Sequence, residues 1–303
     1  MFKTLSGQVV SRFSFGTMQF GHGADEATSG EMYRACREAG INYFDTAYLY
    51  TEGASEEILG RLIAAERDKI FLATKCGYGG ASPETIEAEF SASRRRLGCE
   101  VVDLLYLHRW DDATPLEESL GALARYVDAG AVRYIGVSNF AAWQVMKARS
   151  LGFDVDFVQP MYNLAKRQVE VEILPMAASE GLAVCPYSPL GGGLLTGKYA
   201  RGETGRLSHD AFYTSRYREE WMHKTAADLA VMAAEMGVDP ATLAVAWVAR
   251  NSNVWGPIVS ARSAEQLAPS LAAKGFQMDD ALYRRVTELS VAPPPATDRS
   301  EQL

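Results

Sequence analysis

Eight short apolar stretches, each followed by a segment of helical periodicity, recur along the 303 residues of this chain. They are FSFGTM (13–18), INYFD (41–45), IFLATK (70–75), VDLLYLH (102–108), RYIGVS (133–138), DFVQP (156–160), LAVCPYS (182–188) and GPIVSA (256–261). Near-continuous apolar runs of this length suit strands buried on both faces of a parallel sheet. Helical patterns fall between them at 29–39, 55–66, 82–97, 116–129, 141–150, 170–180, 217–236 and 263–273. Gly40, Gly98, Gly130, Gly181 and Gly237 stand just past helix ends, where a left-handed cap favours glycine, and Ser82-Pro83 reads as a capping serine before a first-turn proline. Eight strand–helix units imply an α/β chain closed into a ring of parallel strands, the TIM (β/α)8 barrel. An open doubly wound sheet would carry a glycine-rich turn after its first strand, and GTMQFGHG (16–23) lacks the G-x-G-x-x-G spacing.

Composition narrows the functional classes. A hydrophobic share of 48% with 22% charged residues fits a globular chain, expected as a single barrel domain over 1–303 with a flexible tail from about residue 290. No run reaches the roughly 18 apolar residues of a membrane span, and MFKTLSGQVV lacks the apolar core of a secretory signal, so no membrane partner and a cytoplasmic location are expected. A net charge of -8 argues against nucleic acid. The basic run Arg94, Arg95 and Arg96 ends a helical pattern, where it suits the helix dipole. Cys36, Cys76, Cys99 and Cys185 form no C-x-x-C pair and read as buried free thiols, with no metal site expected. Residues 2–11 read as a hairpin turning at Ser6-Gly7 that could plug the barrel bottom, and 189–216 as a lid or phosphate loop.

Several of the apolar runs end on polar residues, as buried strands do when they deliver side chains to the C-terminal rim of a barrel. Asp45, Lys75 and His108 end three of them, and Tyr50 follows Asp45 by five residues. Taken singly, each admits a plainer role: a turn cap, a packing aromatic, a surface charge, a barrel histidine. On successive strand ends of one barrel they read jointly as a catalytic set.

FDTA with Tyr50, G-x-S-E-E-x-L-G (53–60), TK (74–75), LH (107–108), GAVRYIGVSNF (130–140), QPMYN (159–163) and PYSPLGGGLLTGKY (186–199) resemble, in order and spacing, the motifs of the aldo-keto reductase family. The resemblance runs from about residue 10 to 273. It implies reduction of an aldehyde or ketone with a nicotinamide cofactor at the C-terminal rim. Tyr50 would be the general acid. A free tyrosine has a pKa near 10, so Lys75 would make it more acidic, Asp45 would keep Lys75 charged, and His108 would orient the carbonyl oxygen.

For the cofactor, the resemblance implies Gly16, Thr17, Met18 and Asp45 at the first strand ends. Ser138, Asn139 and Gln159 would meet the nicotinamide carboxamide, and Tyr187 would stack on its face. Asn139 could also cap the helix that follows. Ser188, Leu190, Gly192 and Lys198 would meet the pyrophosphate, and Ser260, Arg262 and Gln266 the adenosine end. Arg262 suits a 2′-phosphate, so NADP(H) is expected over NAD(H). Where many relatives carry a Glu-Asn pair toward the adenine, this chain has Pro269 and Ser270. The pocket is expected to be lined by Met18, Phe20, Tyr48 and Trp110 beside Tyr50 and His108, and Arg109 makes a sugar or other small polar carbonyl the expected substrate. Two alternatives remain: a sugar dehydrogenase running toward oxidation, and a cofactor-binding subunit resembling potassium-channel beta subunits, against which the intact tetrad counts. A homo-oligomer is compatible with the sequence, which carries no mark of it.

Overall fold

The computed structural model describes residues 1–297. Eight parallel strands, β1 (Ser14–Gly16), β2 (Tyr43–Asp45), β3 (Phe71–Cys76), β4 (Val102–Leu107), β5 (Val132–Ser138), β6 (Phe157–Gln159), β7 (Ala183–Val184) and β8 (Ile258–Val259), each fall within one residue of the predicted stretches. They pair in sequence order from β7 to β1, and β8 pairs with β1. The ring closes where Trp255 N donates to Val184 O (2.8 Å) and Ile258 N donates to Pro186 O (2.9 Å). This is the (β/α)8 barrel that the alternation implies.

Side chains alternate across a strand, and that period sorts the core into two bodies. Tyr43, Phe71, Ala73, Leu104, Tyr106, Phe157 and Cys185 fill the barrel. Phe44, Leu72, Leu105, Val137 and Val158 face outward beneath the helices. The interior is close-packed: a Cβ added to Gly136 would lie 2.4 Å from the Tyr106 ring. One step of two residues up the inward rows leads from Tyr43 to Asp45, from Ala73 to Lys75, from Tyr106 to His108, from Phe157 to Gln159 and from Cys185 to Tyr187. The barrel's own packing therefore carries these polar side chains to its C-terminal mouth.

The opposite end is shut. Lys3 and Val9 pair antiparallel around a turn at Gly7 (φ 84°), the hairpin predicted for residues 2–11. It lays Phe2 against Phe157, Tyr134 and Trp255, with ring centroids 4.4, 5.1 and 6.0 Å away.

The predicted helices are α1 (Glu26–Glu38), α2 (Ala54–Ile63), α3 (Pro83–Leu97), α4 (Leu116–Asp128), α5 (Ala142–Ser150), α6 (Ile173–Glu180), α9 (Glu220–Glu235) and α11 (Ala264–Ala272). The connection 189–216 winds through two 3-10 turns and two short helices, α7 (Arg206–His209) and α8 (Ala211–Arg216). The sequence reading missed α10 (Pro240–Arg250) and α12 (Asp280–Glu288). Ser82 Oγ accepts from Thr85 N as the predicted cap, and the five expected glycines all take positive φ. Cys36, Cys76 and Cys185 are buried and Cys99 is partly so, all as free thiols whose pKa burial raises. Residues 291–297 form no helix or strand, and the rest of the tail expected to be flexible, 298–303, lies outside the described residues.

Candidate active site

Lys75 is the centre of the mouth. It is fully buried, and its ammonium contacts the Asp45 carboxylate, donates to Thr46 O at 2.7 Å and lies 3.5 Å from the Tyr50 hydroxyl. Burial, the largest single influence, would lower its pKa, but the charges and hydrogen bonds of Asp45 and Tyr50 together outweigh it and the net direction is up. Burial pushes the Asp45 carboxyl up, against Lys75 and against Gln159, whose Nε2 donates to Asp45 Oδ2 at 2.9 Å. We read the pair as ionised because the ammonium has three acceptors and the carboxylate two donors, which is what a buried ion pair needs to persist.

Tyr50 and His108 face each other edge to face, their rings 6.1 Å apart. The sequence led us to expect a Tyr50 made more acidic. Lys75 does pull its pKa down, but burial acts the other way and is larger, so the net shift is upward. The phenol thus holds its proton throughout the neutral range. Burial, followed by the charges of Lys75 and Arg109, pushes His108 down to about 3. It is a neutral imidazole with one N–H to give, and its Nδ1 has no hydrogen-bond partner among the described residues.

Backbone strain gathers at the same mouth. Among the described residues, the four non-glycine positions with positive φ are Thr51 (47°) and Glu52 (56°), directly after Tyr50, with Asn139 (58°) and Ser188 (58°). Such conformations cost about 1–3 kcal/mol each and persist where surrounding contacts over-determine them. Asn139 shows those contacts: its Nδ2 donates to His108 O and Ser138 Oγ, both at 3.1 Å, and its Oδ1 accepts from Tyr187 OH at 2.7 Å. It does not cap α5, since Ala141 N donates to Gln144 Oε1 instead.

Comparison with known proteins bears on this geometry. The Aldo/keto reductase family model matches residues 12–291. The chain belongs to the aldo/keto reductase family. Aflatoxin B1 aldehyde reductase member 2 of Homo sapiens is 35% identical over 85% of this chain and 80% of its own length. A probable voltage-gated potassium channel subunit beta of Oryza sativa is 34% identical over 88% of each chain. The solved glycerol dehydrogenase of Gluconobacter oxydans superposes with a TM-score of 0.82 at 30% identity, covering 96% of each chain. This aldo/keto reductase is an NAD(P)H-dependent oxidoreductase.

The residues of the reductase fit a nicotinamide dinucleotide. Beyond the tetrad, a cavity of about 760 Å³ runs from Tyr50 and Met18 to Arg262, covered by Arg206 and Tyr213 of α7 and α8. Burial, with repulsion from Arg262 and Arg206, lowers the pKa of Lys198. Lys198, Arg206 and Arg262 form no salt bridge among the described residues; Arg262 Nε donates to Gln19 Oε1 at 3.2 Å and Arg206 Nη1 to Tyr213 OH at 3.0 Å. Lys198, with Arg262 and Arg206 near it and Glu203 as its one carboxylate influence, makes this end of the cavity suited to an anionic group. The glycine turn lies under the strap, where a Cβ on Gly192 would meet the Tyr213 ring at 2.8 Å.

Other expected positions divide. Ser138 Oγ donates to Gln159 O, joining two of the carboxamide candidates, and Ser188 O accepts from Asn163 Nδ2. Gly16 pairs with Asp45 in the β1–β2 ladder, Leu190 is half-buried, Ser260 is exposed, and Gln266 Oε1 accepts from Arg262 N at 3.4 Å. Thr17 is fully buried and its hydroxyl bonds Ser55 Oγ at 2.8 Å, so its side chain supports the strand end rather than facing the cavity. Phe20 is a correction: it is fully buried against Phe15 and offers no exposed surface to a substrate. Trp110 packs on Phe140 and Trp143 and donates to Asp112 Oδ1, and Tyr48 lies under the Arg96 guanidinium, so neither lines the cavity. Ser270 is buried in α11. The sequence reading missed Arg206, Gln19 and Tyr78. The Tyr78 ring stands 5.1 Å from His108 with Arg109 over its face, and its place just past β3 was the available signal.

Proposed function

We propose that the enzyme reduces an aldehyde or ketone to the alcohol, uses NADP(H) in preference to NAD(H), and employs Tyr50 as its proton donor. The observation that carries this reading is the Tyr50 hydroxyl 3.5 Å from the buried Lys75 ammonium, with a neutral His108 beside it. When bound, the reduced nicotinamide supplies the hydride. His108 donates its single N–H to the carbonyl oxygen, holding it where charge develops. Tyr50 transfers its proton to that oxygen, and the phenolate left behind is stabilised by Lys75, whose own charge Asp45 maintains. Ser138, Asn139 and Gln159 orient the carboxamide and Tyr187 covers the ring. The cations Lys198, Arg206 and Arg262 support a cofactor with the extra phosphate. The Arg109–Tyr78 pair beside His108 supports a small polar substrate such as a sugar aldehyde.

The same groups run the reverse reaction, and likeness to a glycerol dehydrogenase favours alcohol oxidation as a second reading. Likeness to channel beta subunits favours a third, a subunit that binds cofactor and assembles with a channel. One experiment separates them: aldehyde, aldose and polyol panels followed through reduced nicotinamide absorbance, with both cofactors and in both directions. Tyr50→Phe should lower kcat by about 10²–10⁴-fold with cofactor affinity retained. A Phe variant with most of its turnover would remove Tyr50 from the role, and cofactor binding without turnover in either direction would favour the channel reading.

A further inference from the structure

Of three arginines ending α3, only one turns inward. Arg94 pairs with the exposed Glu100 and Arg95 is exposed, as the helix-dipole reading requires. Arg96 instead crosses to the loop that carries Tyr50. Its Nη1 donates to Tyr48 O at 3.0 Å, its Nη2 lies 3.5 Å from Glu52 O, and its guanidinium covers the Tyr48 ring at 4.7 Å. It grips the backbone on both sides of Tyr50, two residues before and two after. Gly53 must be glycine for this to happen, because a Cβ there would lie 2.3 Å from Arg96 Cζ, quite apart from its φ of 101°. The grip is anchored in turn. Glu56, fully buried, lies 3.4 Å from Arg96 Nη1 and accepts from Thr74 Oγ1 at 2.6 Å, and Thr74 is the residue before Lys75 in β3.

We propose that Arg96, held by Glu56, is a positioning residue that sets the Tyr50 hydroxyl against Lys75. The path Thr74–Glu56–Arg96 ties the strand bearing the ammonium to the loop bearing the phenol. It holds two consecutive left-handed residues, Thr51 and Glu52, that would otherwise relax and carry Tyr50 with them. The proposal rests on Tyr50 being the proton donor.

The test is a set of variants assayed with the best carbonyl substrate. Arg96→Met should lower kcat by roughly 10²-fold, the scale of a 1 Å misplacement, with cofactor Kd within a few-fold of wild type. Arg96→Lys, able to reach one carbonyl, should recover part of the loss, and Arg95→Ala, at the exposed neighbour, should keep the wild-type kcat. Tyr50 ionisation, read as the phenolate absorbance difference between Arg96→Met and its Tyr50→Phe double variant, should move to higher pH than the same difference in wild type. Glu56→Gln, which keeps an acceptor for Thr74, should show the same pattern in milder form and serves if Arg96→Met does not fold. Unchanged kcat and unchanged Tyr50 ionisation in folded Arg96→Met or Glu56→Gln, while Tyr50→Phe is inactive, overturns the positioning role alone. Full activity in Tyr50→Phe overturns the reading beneath it.

Discussion

His108 shows what burial does to one side chain. Below about pH 6.5 an unfolded chain would protonate it, whereas the folded site refuses the proton down to about pH 3, so folding stability falls as pH drops through that window. The slope is positive with pH because the unfolded state binds more protons there. His108→Asn should therefore show a smaller fall in urea midpoint between about pH 7 and about pH 5 than the wild type. Equal falls would mean that the imidazole titrates normally. The tetrad was legible in the sequence because each member sits at a fixed offset from a strand end. Tyr78, Arg206 and the inward turn of Arg96 were not, because a side chain's direction at a loop or helix end depends on neighbours brought from elsewhere in the chain. Phe20 departs from expectation for the same reason: its position near the rim was right, and its side chain turns inward beneath it.

Elements were read as well as their burial was one-sided. The strands stood out as continuous apolar runs, and most helices as stripes. α10 was lost because every residue from Ala241 to Val248 is buried, leaving no polar face to reveal a period, although Asp239, whose carboxylate accepts from Ala241 N, and the first-turn Pro240 mark its start. α12 was passed over although Leu282, Tyr283, Val286 and Leu289 form a stripe against the core, with Val286 alone fully buried. Between α2 and α3, Gly60 tests which force governs helix contact. Alanine would gain about 1 kcal/mol of helix propensity. Its Cβ, however, would stand 2.8 Å from the carbonyl oxygens of Arg96 and Leu97, backbone atoms that cannot swing aside. Overpacking of that kind costs about 1–3 kcal/mol, so Gly60→Ala should be destabilising by about 1 kcal/mol in urea unfolding. A stabilised variant would show that the two helices part freely.

At the scale of the whole barrel, stability and chemistry occupy opposite ends. The bottom is closed by Phe2 among four aromatic rings, and every group discussed for the reaction stands at the top. Phe2→Ala should lower unfolding free energy by about 2 kcal/mol, less than a fully buried phenylalanine because the ring is only partly covered, and leave kcat unchanged. A change in kcat without loss of stability would mean that the plug reaches the chemistry. The buried thiols acquire a meaning in this setting. Carbonyl compounds are electrophiles that add to thiolates, and an enzyme that acts on them risks modification by its own substrates. Here burial raises the pKa of all four cysteines and seals three of them in the interior, so few thiolates stand where such a substrate could meet them.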